Sequence, residues 1–530
     1  MTSLFPYNPN DYTLTPLAGP AGDLQTEWVN VHNGTDIYDA ATWQIAVVLG
    51  QVENHFTTPN HQDAYELANN QNILLKVGYD GNALSPVPYD NRGTSRDTVF
   101  VYNGHTISDP TTAYFFRMIA QSWLSKDPFM NTPYASYITA ENLPHNNPAY
   151  QVGKVSWTDW KPISGENAWA FLIGPLQAAY IHYVMDQGKT YIPFDDLSVK
   201  NALPVLSTFA AMQSPLGAVD YVPSGTLGNQ GSQPVNPHQV STENNFSLYA
   251  GLNILKATLQ AELNNESDLN DTDKMTITTA INTINTMING GQVGNNTPTQ
   301  GLLAFFKNNA WNDGEFIQGG LANDPTQSTD WVPSLEPKAV DVNTWGIAAL
   351  GPKQIEEWFG FGAAYNAWQK VKSWGGYGKD SILWGVGYSD QDGNGMDNHG
   401  NYRQGILSAE WTAGAINAVR EMIAYYQTIS SSSPNYLVAQ KYIQSLQSDE
   451  NSMVLNIQNL RIDQYELTSF PGKLANYDEL LMEENYQPYL YASKRYLIPF
   501  GWDANPLPST CSTSWIIMVA DHFNPFVYGG

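Results

Sequence analysis

Three glutamates sit where helices begin, and carboxyl groups in such company can do acid–base chemistry. The segment Asn236-Pro-His-Gln-Val-Ser-Thr-Glu-Asn-Asn-Phe-Ser-Leu-Tyr-Ala250 puts Glu243 in the first turn of a helix opened by Ser241. Glu166, in Ser164-Gly-Glu-Asn-Ala-Trp169, and Glu410, in Ser408-Ala-Glu-Trp411, hold comparable places. A carboxylic acid can protonate a leaving oxygen while a second carboxylate activates water on the opposite face. In direct inverting glycosidic cleavage the two lie about 6.5–9.5 Å apart. A first-turn acid feels the positive end of the helix dipole, which lowers its pKa. A general acid needs the opposite, supplied by burial or a neighbouring carboxylate, and Glu166 and Glu410 are candidate neighbours. Glutamate is also an ordinary residue for the start of a helix, so at this point both readings stand.

The elements that would position these groups are read from periodicity. Helical patterning covers residues 36–55, 111–125, 165–187, 197–213, 242–263, 272–289, 342–350, 353–372, 408–429, 434–462 and 512–523, with a further short helix within 475–500. The clearest strand is Asp97-Thr-Val-Phe-Val-Tyr102. Every second helix opens alike: Asp39-Ala-Ala-Thr-Trp43, Ser164-Gly-Glu-Asn-Ala-Trp169, Ser241-Thr-Glu-Asn-Asn-Phe246, Asp341-Val-Asn-Thr-Trp345, Ser408-Ala-Glu-Trp411 and Ser512-Thr-Ser-Trp515. Each begins with a residue whose side-chain oxygen can accept from free N–H groups of the first turn. Each then runs into small and apolar residues, the mark of a helix buried on most sides. The helices between, such as 272–289 and 434–462, are more polar. Six buried helices alternating with six half-exposed ones predict an all-α fold, an (α/α)6 toroid formed by residues 1–530 as one domain. Long loops at 56–110, 126–163, 214–240, 373–407 and 464–511 are expected to serve function. In such a ring the first turns converge, bringing Glu166, Glu243 and Glu410 toward Trp43, Trp169, Trp345 and Trp411.

Composition narrows the partner. The chain of 530 residues carries 24 Lys+Arg against 50 Asp+Glu, a formal charge of −26, which repels phosphate backbones and anionic membranes. Neither nucleic acid nor membrane is expected. Charged residues are 14% and aromatic residues 12%, with 16 Trp and 31 Tyr. Flat rings can stack on the C–H face of a neutral sugar, although a large protein also buries aromatics for packing. Cys511 is the single cysteine. The first ten residues lack the basic and apolar regions of a leader. Low lysine and abundant Asn, Gln, Ser and Thr point to a secreted protein whose leader is not in this sequence.

Other motifs are weaker. Asp390-Gln-Asp392-Gly-Asn394-Gly395 resembles the start of a calcium loop, but position twelve is Asn401 rather than a bidentate glutamate; a mobile cleft loop is the expectation, with no metal. The histidines show no metal spacing, and no Gly-x-Ser-x-Gly elbow is present. His238 is read as a loop residue and Arg92 and Arg96 as ion-pair formers. Tyr486, Tyr489, Tyr491, Tyr496 and Trp502 could be a sugar platform, with packing the favoured role. Asn33, Asn245, Asn265 and Asn270 begin glycosylation-type triplets, a pattern common by chance.

The segments Ser241-Thr-Glu-Asn-Asn-Phe-Ser-Leu-Tyr-Ala-Gly-Leu252, Ser164-Gly-Glu-Asn-Ala-Trp-Ala170 and Tyr38-Asp-Ala-Ala-Thr-Trp-Gln44 resemble the endo-β-1,2-glucanases of glycoside hydrolase families 144 and 162 and their relatives. The resemblance follows helix order over most of the chain and is specific at these short segments. It implies an (α/α)6 fold, inverting hydrolysis of β-1,2-glucan, Glu243 as general acid, and Glu166 as an acidic residue lining the same pocket. The resemblance does not align a base; the candidates are Glu410 and the loop residues Asp390, Asp392 and Asp397. Asp39, Trp43, Trp169, Asn244 and Trp411 are the further residues expected to bind substrate. No cofactor is expected, and the protein should be a monomer acting on an oligo- or polysaccharide. The rival readings are a β-1,2-glucan transglycosylase, an (α/α)6 polysaccharide lyase, which the scarcity of basic residues disfavours, and a non-catalytic sugar-binding protein.

Overall fold

The computed structural model describes residues 34–53, 63–79, 163–222, 235–473 and 487–530 apart from 502 and 507, together with short strands between 99 and 156. Arg92, Arg96, Tyr486, Trp502 and Asn33 lie outside the described residues. The chain is mainly helical, as its periodicity requires, with short antiparallel strand pairs. The expected strand is present as Val99–Tyr102, paired with His105–Ser108. No described helix is long and apolar enough to cross a membrane.

The chain divides into two compact units. The first holds α1 (Ile37–Val52), α2 (Ala64–Tyr79), α3 (Ser164–Ala168), α4 (Gly174–Tyr180), α5 (Leu197–Ala211), α6 (Thr242–Asn265) and α7 (Asp271–Asn289). Two wider, π-helical turns, Trp169–Ile173 and Ile181–Asp186, make one run with α3 and α4. Here α1 packs on α4 and α3 packs on α6, while α2, α5 and α7 flank them. The π turn at 169–173 is wholly buried, with Phe171, Leu172 and Ile173 at 0% exposure. Burying each such side chain contributes about 1.5–3 kcal/mol. Close approach is licensed by two glycines: a Cβ at Gly174 would press on the Ala41 backbone of α1, and one at Gly165 would collide with the Asn244 amide of α6. A buried polar chain ties three helices, since Gln44 Nε2 donates to Ala68 O and Asn72 Oδ1, and Asn201 Nδ2 donates to Asn72 O. The segment 320–332 returns to this unit and extends a small sheet begun by Gln239–Ser241.

After α8 (Leu302–Asn308) the second unit contains α9 (Val340–Leu350), α10 (Pro352–Phe359), α11 (Ala363–Gly375), α12 (Ala409–Gln427), α13 (Tyr436–Ile457), α14 (Ile462–Leu467) and α15 (Thr510–Ala520). Here α12 is the hub, packed by α9, α13 and α15. Trp345 of α9 stacks on Trp515 of α15, ring centroids 5.6 Å apart. Tyr377, Tyr465 and Phe470 build a core cluster, and Tyr489 joins it, the packing role expected for that residue.

Several expectations need correction. Residues 118–120 form a strand paired with Gly34–Asp36 rather than the middle of a helix, because β-branched and backbone pairing partners are at hand there; the rest of 111–125 lies outside the described residues. The helix expected over 353–372 is two, broken at Gly360 and Gly362, both with positive φ. No helix occurs in the described part of 475–500, where Tyr496–Leu497 pair with Asp503–Ala504. α2, α8 and α14 were not anticipated, the last falling largely in the loop expected over 464–511.

Candidate active site

The expected side-chain cap holds at Ser241, whose Oγ accepts from Asn244 N at 3.3 Å, and at Ser408, whose Oγ accepts from Trp411 N at 3.3 Å. Elsewhere it shifts. α15 is capped by Ser509, three residues before Ser512. Asp39 and Asp341 lie inside their first turns, and α3 begins at Ser164 with Ile163 as a cap lacking a side-chain bond. In each shifted case the helix starts earlier than the polar residue suggested.

In the first unit the fronts of α3 and α6 abut, through the Gly165–Asn244 approach, so Glu166 and Glu243 occupy adjoining first turns. Both glutamates are half-buried. Asn245 fastens the front of α6 to the preceding loop: Oδ1 accepts from Val219 N at 2.8 Å, and Nδ2 donates to Val219 O and Ser241 O. With Asn245 at 1% exposure, a glycan on its triplet would be incompatible with this packing. Asn270 of another triplet caps α7, accepting from Thr272 and Asp273 N–H groups.

A hydrogen-bonded chain orients Glu243. Trp169 Nε1 donates to Ser247 Oγ at 3.2 Å, and Ser247 Oγ donates to Glu243 Oε1 at 2.9 Å. An indole N–H can only donate, so Ser247 Oγ accepts from Trp169 and keeps its own hydrogen for the carboxyl. Tyr38 of α1 meets the Trp169 ring edge-on, 5.3 Å between centroids. Trp169 is 1% exposed, so it acts through this bond rather than by offering a ring face. Trp43 and Asp39 are half-buried in α1, and Asn244 is 5% exposed. Ser247, Tyr38 and Gly165 were not singled out from sequence. The i+4 spacing of Ser247 from Glu243 on one helix face was the available signal.

Glu410 and Trp411 stand together in the second unit, both 4% exposed, in the first turn of α12. Trp411 meets Tyr388 edge-on at 4.9 Å. The loop before α12 is tightly built, not the mobile loop expected. Asp392 is 3% exposed and accepts from Tyr388 N, Ser389 N and Ser389 Oγ; burial still raises its pKa. Asn394 bonds to Gly375 O and to both backbone groups of Ile406. Asp397 accepts from His399 and Asn401 N–H groups in a surface turn, which lower its pKa. Asp390 Oδ1 accepts from Lys338 N. Asp392 and Asp397 therefore shape their own loop. Among the described residues no group of three or more His, Cys, Asp or Glu side chains is arranged to hold a metal ion.

No protein-family model matches the chain, nor does any curated protein. Among solved structures it is similar to glucoamylase from Saccharomycopsis fibuligera, at 11% identity over 98% of this chain and 97% of that one, TM-score 0.42. It is also similar to the unsaturated glucuronyl hydrolase from Bacillus sp. GL1, responsible for degradation of glycosaminoglycan, at 9% identity over 67% of this chain and 73% of that one, TM-score 0.35. Likenesses this distant carry no argument about the chain's fold or activity.

Proposed function

We propose that this chain is a glycoside hydrolase acting on a neutral β-glucan, an endo-acting, inverting enzyme for β-1,2-glucan on an (α/α)6 toroid, with Glu243 as general acid. The observation that carries the reading is the Trp169–Ser247–Glu243 chain at the front of a buried helix, beside the turn that bears Glu166. An oxygen that accepts the serine proton is not the one that bears the acid proton. Oε2 is therefore the oxygen that would deliver a proton to the departing glycosidic oxygen. Glu166, in the adjoining turn, would oppose ionisation of Glu243 through like charge. Inversion also requires a base that acts on water directly or through a sugar hydroxyl. Asp39, Trp43 and Asn244, in the same unit, complete the proposed substrate site, with Trp169 acting through Ser247. The alternation of buried and flanking helices within each unit supports the toroid, and the excess of acidic residues supports a neutral substrate.

The test is incubation of the purified chain with linear β-1,2-glucan and a panel of other glucans. Short saturated oligosaccharides from wild type, strongly reduced with Glu243→Gln, support the proposal. Products absorbing in the ultraviolet would instead mean elimination. Binding without products would mean a sugar-binding protein, and products longer than the substrate a transglycosylase.

A further inference from the structure

Roughly five turns beyond Glu243 on the same helix lies Glu262, which the proposed chemistry does not use. Its side chain is 0% exposed, and neither carboxyl oxygen has a hydrogen-bond partner among the described residues. It stands in the last turn of α6, where the negative end of the helix dipole opposes a negative charge. The neighbouring carboxyls are differently placed. Glu266 Oε2 accepts from Phe194 N at 3.0 Å. Asp196 accepts from Tyr65 Oη, Tyr183 Oη and Ser198. Lys200, whose charge acts on Glu262, lies over the Phe194 ring at 3.5 Å from its centroid.

We infer that Glu262 is a built-in acidity sensor: a neutral carboxylic acid that secures the rear of α6 in acidic solution and loosens the first unit when it loses its proton. An unpaired carboxylate sealed from water lacks both solvent and donors to stabilise it, so the neutral form is the one compatible with this packing. Burial pushes the Glu262 pKa up to about 9, with the charge of Glu266 adding to the effect, Lys200 opposing it and Asp196 reinforcing it. The other elements packed on α6 bring Glu166 from α3 and Tyr180 from α4, and the first turn of α7 bears Asp271, Asp273 and Lys274. Glu166 belongs to the opposite end of α6, beside Asn244.

The sign follows from proton counting. Between the ordinary glutamate pKa and about 9 the folded chain holds a proton at Glu262 that the unfolded chain has lost. The stabilisation is thus fully present below the unfolded value and drains away as pH rises toward the folded one. One such proton changes the unfolding equilibrium constant about tenfold per pH unit.

Reversible urea unfolding of the full chain, followed from pH 5 to pH 8, tests this in wild type and Glu262→Gln. The expected result is a wild-type unfolding constant that rises about tenfold per pH unit more steeply than that of Glu262→Gln. Glu262→Met, which removes the polar atoms, should flatten the profile in the same way. Equal slopes in wild type and both variants would overturn the inference. So would failure of both variants to fold at any pH, because the carboxyl would then have a partner that this account denies it.

Discussion

At the residue scale, the bond from Ser247 to Glu243 sets the orientation of the candidate acid. Removing it with Ser247→Ala should lower kcat on glucan by about tenfold to a hundredfold. That matches the roughly 1.5–3 kcal/mol of a hydrogen bond to a charged group. KM should change little, because the hydroxyl touches the acid rather than the sugar. Steady-state kinetics on a folded variant checks this, and an unchanged kcat would remove Ser247 from the machinery. Asn245 supplies a second residue-scale prediction. Its amide nitrogen is committed to Val219 O and Ser241 O. Expression in a glycosylating host should therefore leave it unmodified by peptide mass spectrometry.

At the element scale, contact between α3 and α6 depends on the absence of a side chain at position 165. Gly165→Ala should push the Asn244 turn aside and destabilise the fold by about 1–3 kcal/mol, measurable in urea. Activity should fall more than stability alone explains, since Glu166 and Glu243 flank that contact in sequence. This scale also shows what was legible in the sequence. The long helices with apolar stripes, and the two serine caps at 241 and 408, were readable because one side chain and its own first turn decide them. α2 was not, because its buried face is Ala64, Tyr65, Ala68 and Asn72, a stripe of mostly small residues whose polar member is satisfied by Gln44 and Asn201 from other helices. The break at Gly360 and Gly362 is likewise tertiary. Buried Glu356 accepts from the N–H groups of Gly362 and Ala364 and from Tyr426 Oη, and so holds the turn in place. The loop aspartates looked metal-like or mobile in sequence, whereas Asp392 bonds to its own loop.

At the scale of the whole molecule, buried acids dominate the pH response. Burial raises the pKa of Glu356, Glu421 and Asp392 in the second unit, and of Glu262 in the first. Each holds its proton to higher pH when folded, so each contributes stability that is lost as pH rises. Asp463, held near 2 by its ion pair with Arg461, works the other way and loses its contribution only as pH falls toward that value. The net charge of −26 adds repulsion at neutral pH. The melting temperature should be higher at pH 5 than at pH 8, by calorimetry. An optimum at pH 8 would contradict the balance of these groups.

The central claim, that the Glu243 carboxyl protonates the departing oxygen, is tested most directly by varying how much the leaving group needs a proton. Turnover by Glu243→Gln is compared with wild type on a sugar leaving group and on a strongly acidic aryl leaving group of the same glycosyl chain. The account predicts a loss of about 10²–10⁴-fold on the sugar and near-normal cleavage on the aryl glycoside. Equal losses on both, or no loss on either, would contradict it.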